Sequence, residues 1–201
     1  MVAAVESDRP HEGLPHVGRA RQIVAELGAW RFEGENIIFG AQLEAACGRS
    51  KLAAEMAREA VALCRQHALS YLGPAALGIG AALSDDPAER DAWLAEGEAL
   101  LQKPTLGHNH LFFRRNAIEA SMTAGRTDEA RRHANALAEY CAREPMPFTD
   151  LVTRRGRLLA DAADGILSAD GRAELSELHD RARKAGFLCL SGPMLEVLNR
   201  A

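Results

Sequence analysis

An internal repeat limits what this chain can fold into more than any other feature. Ala53, Ala92 and Ala130 stand 39 and 38 residues apart. Each is followed four residues on by Ala57, Glu96 or Ala134, and seven on by Ala60, Ala99 or Leu137. Five residues before the alanine come Gly48 and Gly125, with Pro87 in that place in the middle copy, and Ala20, Val24 and Leu27 match the same spacing further upstream. Small residues at helical intervals suit helices whose axes come close, and a turn residue before them lets the chain reverse. The repeat therefore predicts antiparallel helix pairs stacked at a pitch near forty residues.

Composition points the same way. Of the 201 residues, 38 are Ala and only 18 are Val, Ile or Thr, which favours helix because Ala loses no side-chain entropy there. The predicted helices span 17–27, 32–47, 51–68, 71–83, 87–102, 109–124, 127–143, 148–163, 173–185 and 193–200. Gly28 closes the first, an aspartate before Pro87 caps the fifth, Thr127 caps the seventh, and Gly165 and Gly171 flank the turn before the ninth. Residues 1–16 read as a flexible leader and 17–201 as one domain of about nine to ten helices.

With 24 basic and 28 acidic residues the net charge is −4, giving no broad positive field for nucleic acid or anionic lipid. The longest apolar runs, such as Pro74 to Leu83, fall far short of the ~20 residues a membrane span needs. The leader lacks the apolar core of a secretory signal, and a cytoplasmic protein is expected. Cys47, Cys64, Cys141 and Cys189 are scattered without a Cys-x-x-Cys pair and read as small core fillers in a reducing compartment.

The Gly-type turn, the alanine five residues later and the small residue seven after that resemble the tetratricopeptide repeat. The resemblance implies an all-α, right-handed α-solenoid of antiparallel helix pairs, with loops longer than in the usual 34-residue unit. From about Ala60 to Ala163 a second set of landmarks occurs. These are Gly73-Pro74, Asp85-Asp86-Pro87-Ala88-Glu89-Arg90, Gly107-His108-Asn109-His110-Leu111-Phe112-Phe113, Ala117-Ile118-Glu119-Ala120, Gly125-Arg126-Thr127-Asp128-Glu129-Ala130 and Glu144-Pro145-Met146-Pro147. They resemble the C-terminal helical-repeat region of bacterial signalling proteins that join a class III adenylate or guanylate cyclase to a signal-transduction ATPase. That resemblance implies a non-catalytic sensory or scaffold role, or a regulatory region without its catalytic domains. No Gly-x-x-x-x-Gly-Lys-Ser/Thr string is present to neutralise phosphate charge, and the metal-binding aspartates of a cyclase cannot be placed.

Other constellations have plainer readings. His108-Asn109-His110 lacks the ββα frame of a metal-dependent nuclease and reads as helix capping and hairpin packing. Gly78-Ile79-Gly80 follows no strand and reads as an allowance for close helix approach. Arg131 with Arg132, and Arg154, Arg155 and Arg157, read as solvated helix faces. Asp161 and Asp164 share a helix face without a tuned partner, and Glu119 and His133 are expected to form a polar bridge across the Gly125 turn.

No catalytic residue, metal ligand or cofactor is assigned. In the repeat register the first helix of each pair lines the binding face, which makes Ile38, Gln42, Leu77, Phe112, Arg115, Asn116 and Glu119 the groove candidates. The expected partner is a protein or peptide, with the apolar groups as anchors and Arg115 and Asn116 orienting it.

Overall fold

The computed structural model describes residues 1–200, and among these it is helical throughout, with no strand. The helices are α1 (Val2–Glu6), α2 (Pro10–Leu27), α3 (Glu33–Ala46), α4 (Ser50–His67), α5 (Leu69–Leu83), α6 (Pro87–Leu101), α7 (Gly107–Thr123), α8 (Thr127–Tyr140), α9 (Pro147–Ala163), α10 (Ala169–Ala185) and α11 (Ser191–Asn199). Short 3₁₀ turns at Trp30–Phe32 and Leu188–Leu190 precede α3 and α11. The residues expected to form a leader are thus helical: α1 lies wholly within them, and α2 starts at Pro10 rather than Val17 because Pro10 takes the first helical position, where its missing N–H is no loss. None of the helices is long and apolar enough to cross a membrane.

The helix ends follow local chemistry. The Asp86 carboxylate accepts the Ala88 N–H at 2.9 Å, and Pro87 opens α6. Gly48 and Gly125 adopt φ of 80° and 69°, the left-handed turn that glycine makes without a Cβ penalty. Thr127 is not the cap of α8 but its first residue, and its hydroxyl donates instead to Asp164 at 2.9 Å. Nor is Gly171 a turn residue: it lies inside α10, where its N–H donates to the capping Ser168 hydroxyl at 3.0 Å.

The chain divides into two compact units, with the division falling inside α7 between Ala117 and Ile118. The first unit takes residues 1–5 and 9–117. In it α3 packs on α2, α4 and α5, while α5 packs on α4 and α6. Every residue of α5 from Leu72 to Gly80 is buried, so this helix is the axis of its unit and needs no polar face. Ala53, Ala57 and Ala60 are buried on α4, as the repeat predicts.

The middle copy of the repeat runs in a different register. Ala92 and Ala99 are exposed, and the buried positions are Trp93, Leu94, Gly97 and Leu101. A Cβ on Gly97 would lie 2.1 Å from the Phe113 ring, so the small residue that the contact requires is this glycine and not the alanines beside it.

The second unit comprises residues 6–8 and the chain from Ile118 on. There α8 packs on α9, α9 on α10, and α11 on α9 and α10. Ala130, Ala134 and Leu137 on α8 are fully buried, as are Leu175, Leu178 and Ala182 on α10 and Met194 on α11 to within 1%. The Arg172 guanidinium donates to the carbonyls of Val197, Leu198 and Arg200, satisfying the end of α11 that its own backbone leaves open.

All four cysteines are free. Cys64 and Cys141 are core fillers as expected, but Cys47 and Cys189 are only half-buried. Burial, assisted by the nearby Glu35 charge, pushes the Cys64 thiol up to about 12.

Candidate functional site

Pro74 lies one turn inside α5 and has no N–H to offer the Ser70 carbonyl. The Thr105 hydroxyl donates to that carbonyl at 3.4 Å. Asn109, fully buried, spans the same turn. Its amide donates to the Tyr71 carbonyl at 3.0 Å and to the Thr105 hydroxyl at 2.8 Å, and its oxygen accepts the Ala75 N–H at 3.3 Å. The His108 Nε2–H also donates to the Tyr71 carbonyl, at 2.9 Å. The Gly73-Pro74 and His108-Asn109-His110 landmarks are therefore two halves of one joint, in which α7 repairs the backbone that a proline opens in α5.

The joint fixes Tyr71 and His108 side by side. Their rings meet edge to face at 5.6 Å, Tyr71 meets Phe32 edge to face at 5.8 Å, and His108 meets Phe112 at 6.4 Å. Phe112 in turn packs against Phe39 at 5.5 Å. Phe32, Tyr71, His108 and Phe112 are each only half-buried, so their rings form a continuous surface across the starts of α3, α5 and α7.

Polar groups frame this row. The Tyr71 hydroxyl donates to Glu35 at 3.3 Å, and burial together with that carboxylate raises the phenol above its ordinary range. The exposed Arg31 places its guanidinium 4.5 Å over the Phe32 ring centre and 5.8 Å from that of Tyr71. At the other end, the Gln42 amide donates to the Asn116 oxygen at 3.3 Å, and the Asn116 amide donates to the Phe112 carbonyl at 2.7 Å. Burial, and then the Arg114 charge, lower the affinity of His110 for a proton.

Among the groove candidates, Gln42, Phe112 and Asn116 come together here. Ile38 and Leu77 do not reach the surface, with 0% and 1% exposure, because α3 over 36–41 and α5 over 72–81 are buried on every side. Arg115 is buried to 7% exposure, so little of it is presented to a partner. Glu119 belongs to the second unit and does not bridge to His133. It accepts the guanidinium of Arg155 at 2.5 Å.

Arg155 is itself fully buried, with its Nε–H donating to the Leu190 carbonyl at 3.0 Å, which overturns its reading as part of a solvated face. Arg131 likewise lies between Asp161 and Asp164, at 2.9 and 2.5 Å, so those two carboxylates do have a partner. The Gly78-Ile79-Gly80 reading holds: a Cβ on Gly78 would lie 2.7 Å from the Phe113 Cα, and one on Gly80 would lie 2.9 Å from the Trp93 ring.

Sequence reading passed over Arg31, Phe32, Glu35 and Tyr71, yet a signal for the ring positions was there. Phe32, Tyr71 and His108 are spaced 39 and 37 residues apart, the same pitch as the alanines, so the ring positions repeat with the fold.

Among the concavities of the second unit is an open hollow of about 500 Å³ lined by Cys141, Met146, Thr149, Thr153, Arg154 and Glu174. There Arg154 is paired with Glu174 at 2.7 Å, and the Arg157 Nε–H donates to the Asn135 amide oxygen at 2.7 Å. Compared with protein families, curated proteins and solved structures, the chain matches none.

Proposed function

We propose that the chain is a non-catalytic protein-interaction module of the tetratricopeptide-like kind, which holds a protein or peptide partner on the ring row of its first unit. The observation that carries this reading is the repetition of half-exposed rings at the pitch of the fold. Phe32 in the turn before α3, Tyr71 in the first turn of α5 and His108 in the first turn of α7 stand in a row, with Tyr71 touching the other two. Folding alone has no need to leave such rings half in water, whereas a binding surface benefits from rigid amphipathic anchors whose ordering has already occurred. Gln42, held by the buried Asn116, supplies a fixed polar group at one end of the row, and Glu35 and Arg31 lie at the other.

The likeness of the landmark stretches to cyclase–ATPase helical regions supports a regulatory setting for such a module. A cyclase or ATPase reading frame beside this one would favour that setting, and an unrelated neighbourhood would count against it.

Tyr71→Ala and Phe112→Ala test the interface. Each variant is expected to lose most of the capture of a partner identified with the native chain, while keeping its helical circular dichroism. Capture at the native level by both variants would show that the row is not the interface.

A further inference from the structure

The polar end of the ring row already holds a cation. The guanidinium of Arg31 lies over Phe32 and within reach of Tyr71, at 4.5 and 5.8 Å from their ring centres, while the side chain itself remains exposed. Among the described residues Arg31 makes no ion pair and no hydrogen bond, so the ring faces are its principal attraction. At the hydroxyl end of Tyr71 stands the Glu35 carboxylate, which among the described residues accepts the Tyr71 hydroxyl at a long 3.3 Å and is not paired with Arg31. A carboxylate accepts several hydrogen bonds, and one weak donor leaves most of that capacity open. The backbone that carries the Tyr71 ring is held through its carbonyl by His108 and Asn109.

We infer that this aromatic–carboxylate seat receives a guanidinium or ammonium side chain from the partner, and that Arg31 occupies it in the partner's absence. The inference deepens the interaction reading above and rests on it. Arg31 is suited to be a placeholder, since a single exposed cation–π contact is worth only about 0.5–1 kcal/mol. An incoming arginine would take the ring faces that Arg31 leaves as it swings into solvent, and would reach further along Tyr71 than Arg31 does, to the Glu35 carboxylate at its hydroxyl. The partner is thus a segment with a basic side chain flanked by apolar ones that can lie along His108 and Phe112. A partner with an acidic side chain would instead pair with Arg31 where it stands, and the two cases predict opposite effects of removing that arginine.

The test uses the full chain, acetyl-Leu-Arg-Leu-amide and its neutral citrulline counterpart, with binding followed by chemical-shift titration. The arginine peptide is expected to bind, and the citrulline peptide to bind at least several-fold more weakly. Arg31→Ala should tighten arginine-peptide binding roughly 2- to 5-fold by removing the competitor. Glu35→Gln should weaken it several-fold, and Tyr71→Phe, which keeps the ring, should leave it within about twofold of native.

Absence of arginine-peptide binding, equal binding of the citrulline peptide, or weaker binding by Arg31→Ala would each overturn the inference. If the peptide fails while Tyr71→Ala still loses partner capture, only the cation assignment falls. If capture is also unaffected, the interface reading falls with it.

Discussion

The two units fill their interiors by different means. The first builds its axis from apolar groups in close approach and buries its polar groups, Asn109, Arg114 and Arg115 among them, on the neighbouring α7. Its axial helix α5 is buried from Leu72 to Gly80, and Gly78 and Gly97 let α5 and α6 press against Phe113. The second keeps charge and hydroxyl groups inside, with Arg155 between Glu119 and the Leu190 carbonyl, and buried Thr149 and Thr153 bonding backward to Met146 and Asp150. An apolar seam tolerates little added volume but is indifferent to charge. A buried guanidinium is the reverse, because its desolvation is offset only while every partner stays in place. The ring row belongs to the first kind of unit, where a rigid framework can hold aromatic groups partly in water.

The sharpest way to break this comparison is to add volume at the first seam. Gly78→Leu is expected to destabilise the chain by about 3–5 kcal/mol, beyond the usual overpacking cost because the obstruction is the Phe113 backbone. Urea unfolding measures it, and a change under about 1 kcal/mol would show that the seam is loose. Glu119→Ala should cost about 3 kcal/mol, since it leaves the Arg155 charge buried with only a carbonyl for company. Hydrogen exchange should show the loss of protection in α9 and α11.

Asn109→Ala should cost about 2 kcal/mol by leaving the Ala75 N–H without its acceptor and the Tyr71 carbonyl with fewer donors. Asn109→Asp, which cannot donate to that carbonyl, should recover little of the loss.

The smallest effect is one both units share. On α4, Arg58 reaches Glu89 and Asp85, while in the second unit Arg131 reaches Asp164. The arginine hydrogen bonds hold both Asp85 and Asp164 below the ordinary carboxylate range of 3.8. A depressed folded pKa stabilises above the unfolded value and loses that contribution as pH falls through the folded one. Both carboxylates are solvated, so acid titration should produce a slight, salt-sensitive loss of stability below about pH 4, equal in kind for the two units. A steep loss beginning near pH 6 would point to a different titrating group.

Much of the first unit could be read from the sequence, because its rules are local. Gly48, Asp86 and Pro87 punctuate its helices through their own backbone preferences, and Gly125 does the same in the second unit. The register of the middle repeat could not be read from alanines, since Ala suits both the inside and outside of a helix. Ala92 and Ala99 turned out to face water, while Trp93 and Gly97 meet the neighbouring helices. Arg155 was hidden for a related reason. In sequence it is one of three arginines on α9, and only its partners 36 and 35 residues away show it to be buried. Ile38 and Leu77 lie where α3 and α5 are buried all round, which a one-faced helix register does not foresee, whereas the spacing of Phe32, Tyr71 and His108 already contained the ring row.

Phe112 and Phe113 test the account most directly, because they are adjacent on α7 and differ in the one respect that matters. Phe113 has 0% exposure and fills the seam beside Gly78 and Gly97, while Phe112 stands half in water at the end of the ring row. Measured by urea unfolding, Phe113→Ala should cost about 3–5 kcal/mol and Phe112→Ala less than about half as much. Equal costs would mean that the row is core, and would contradict its assignment as a surface kept open for a partner.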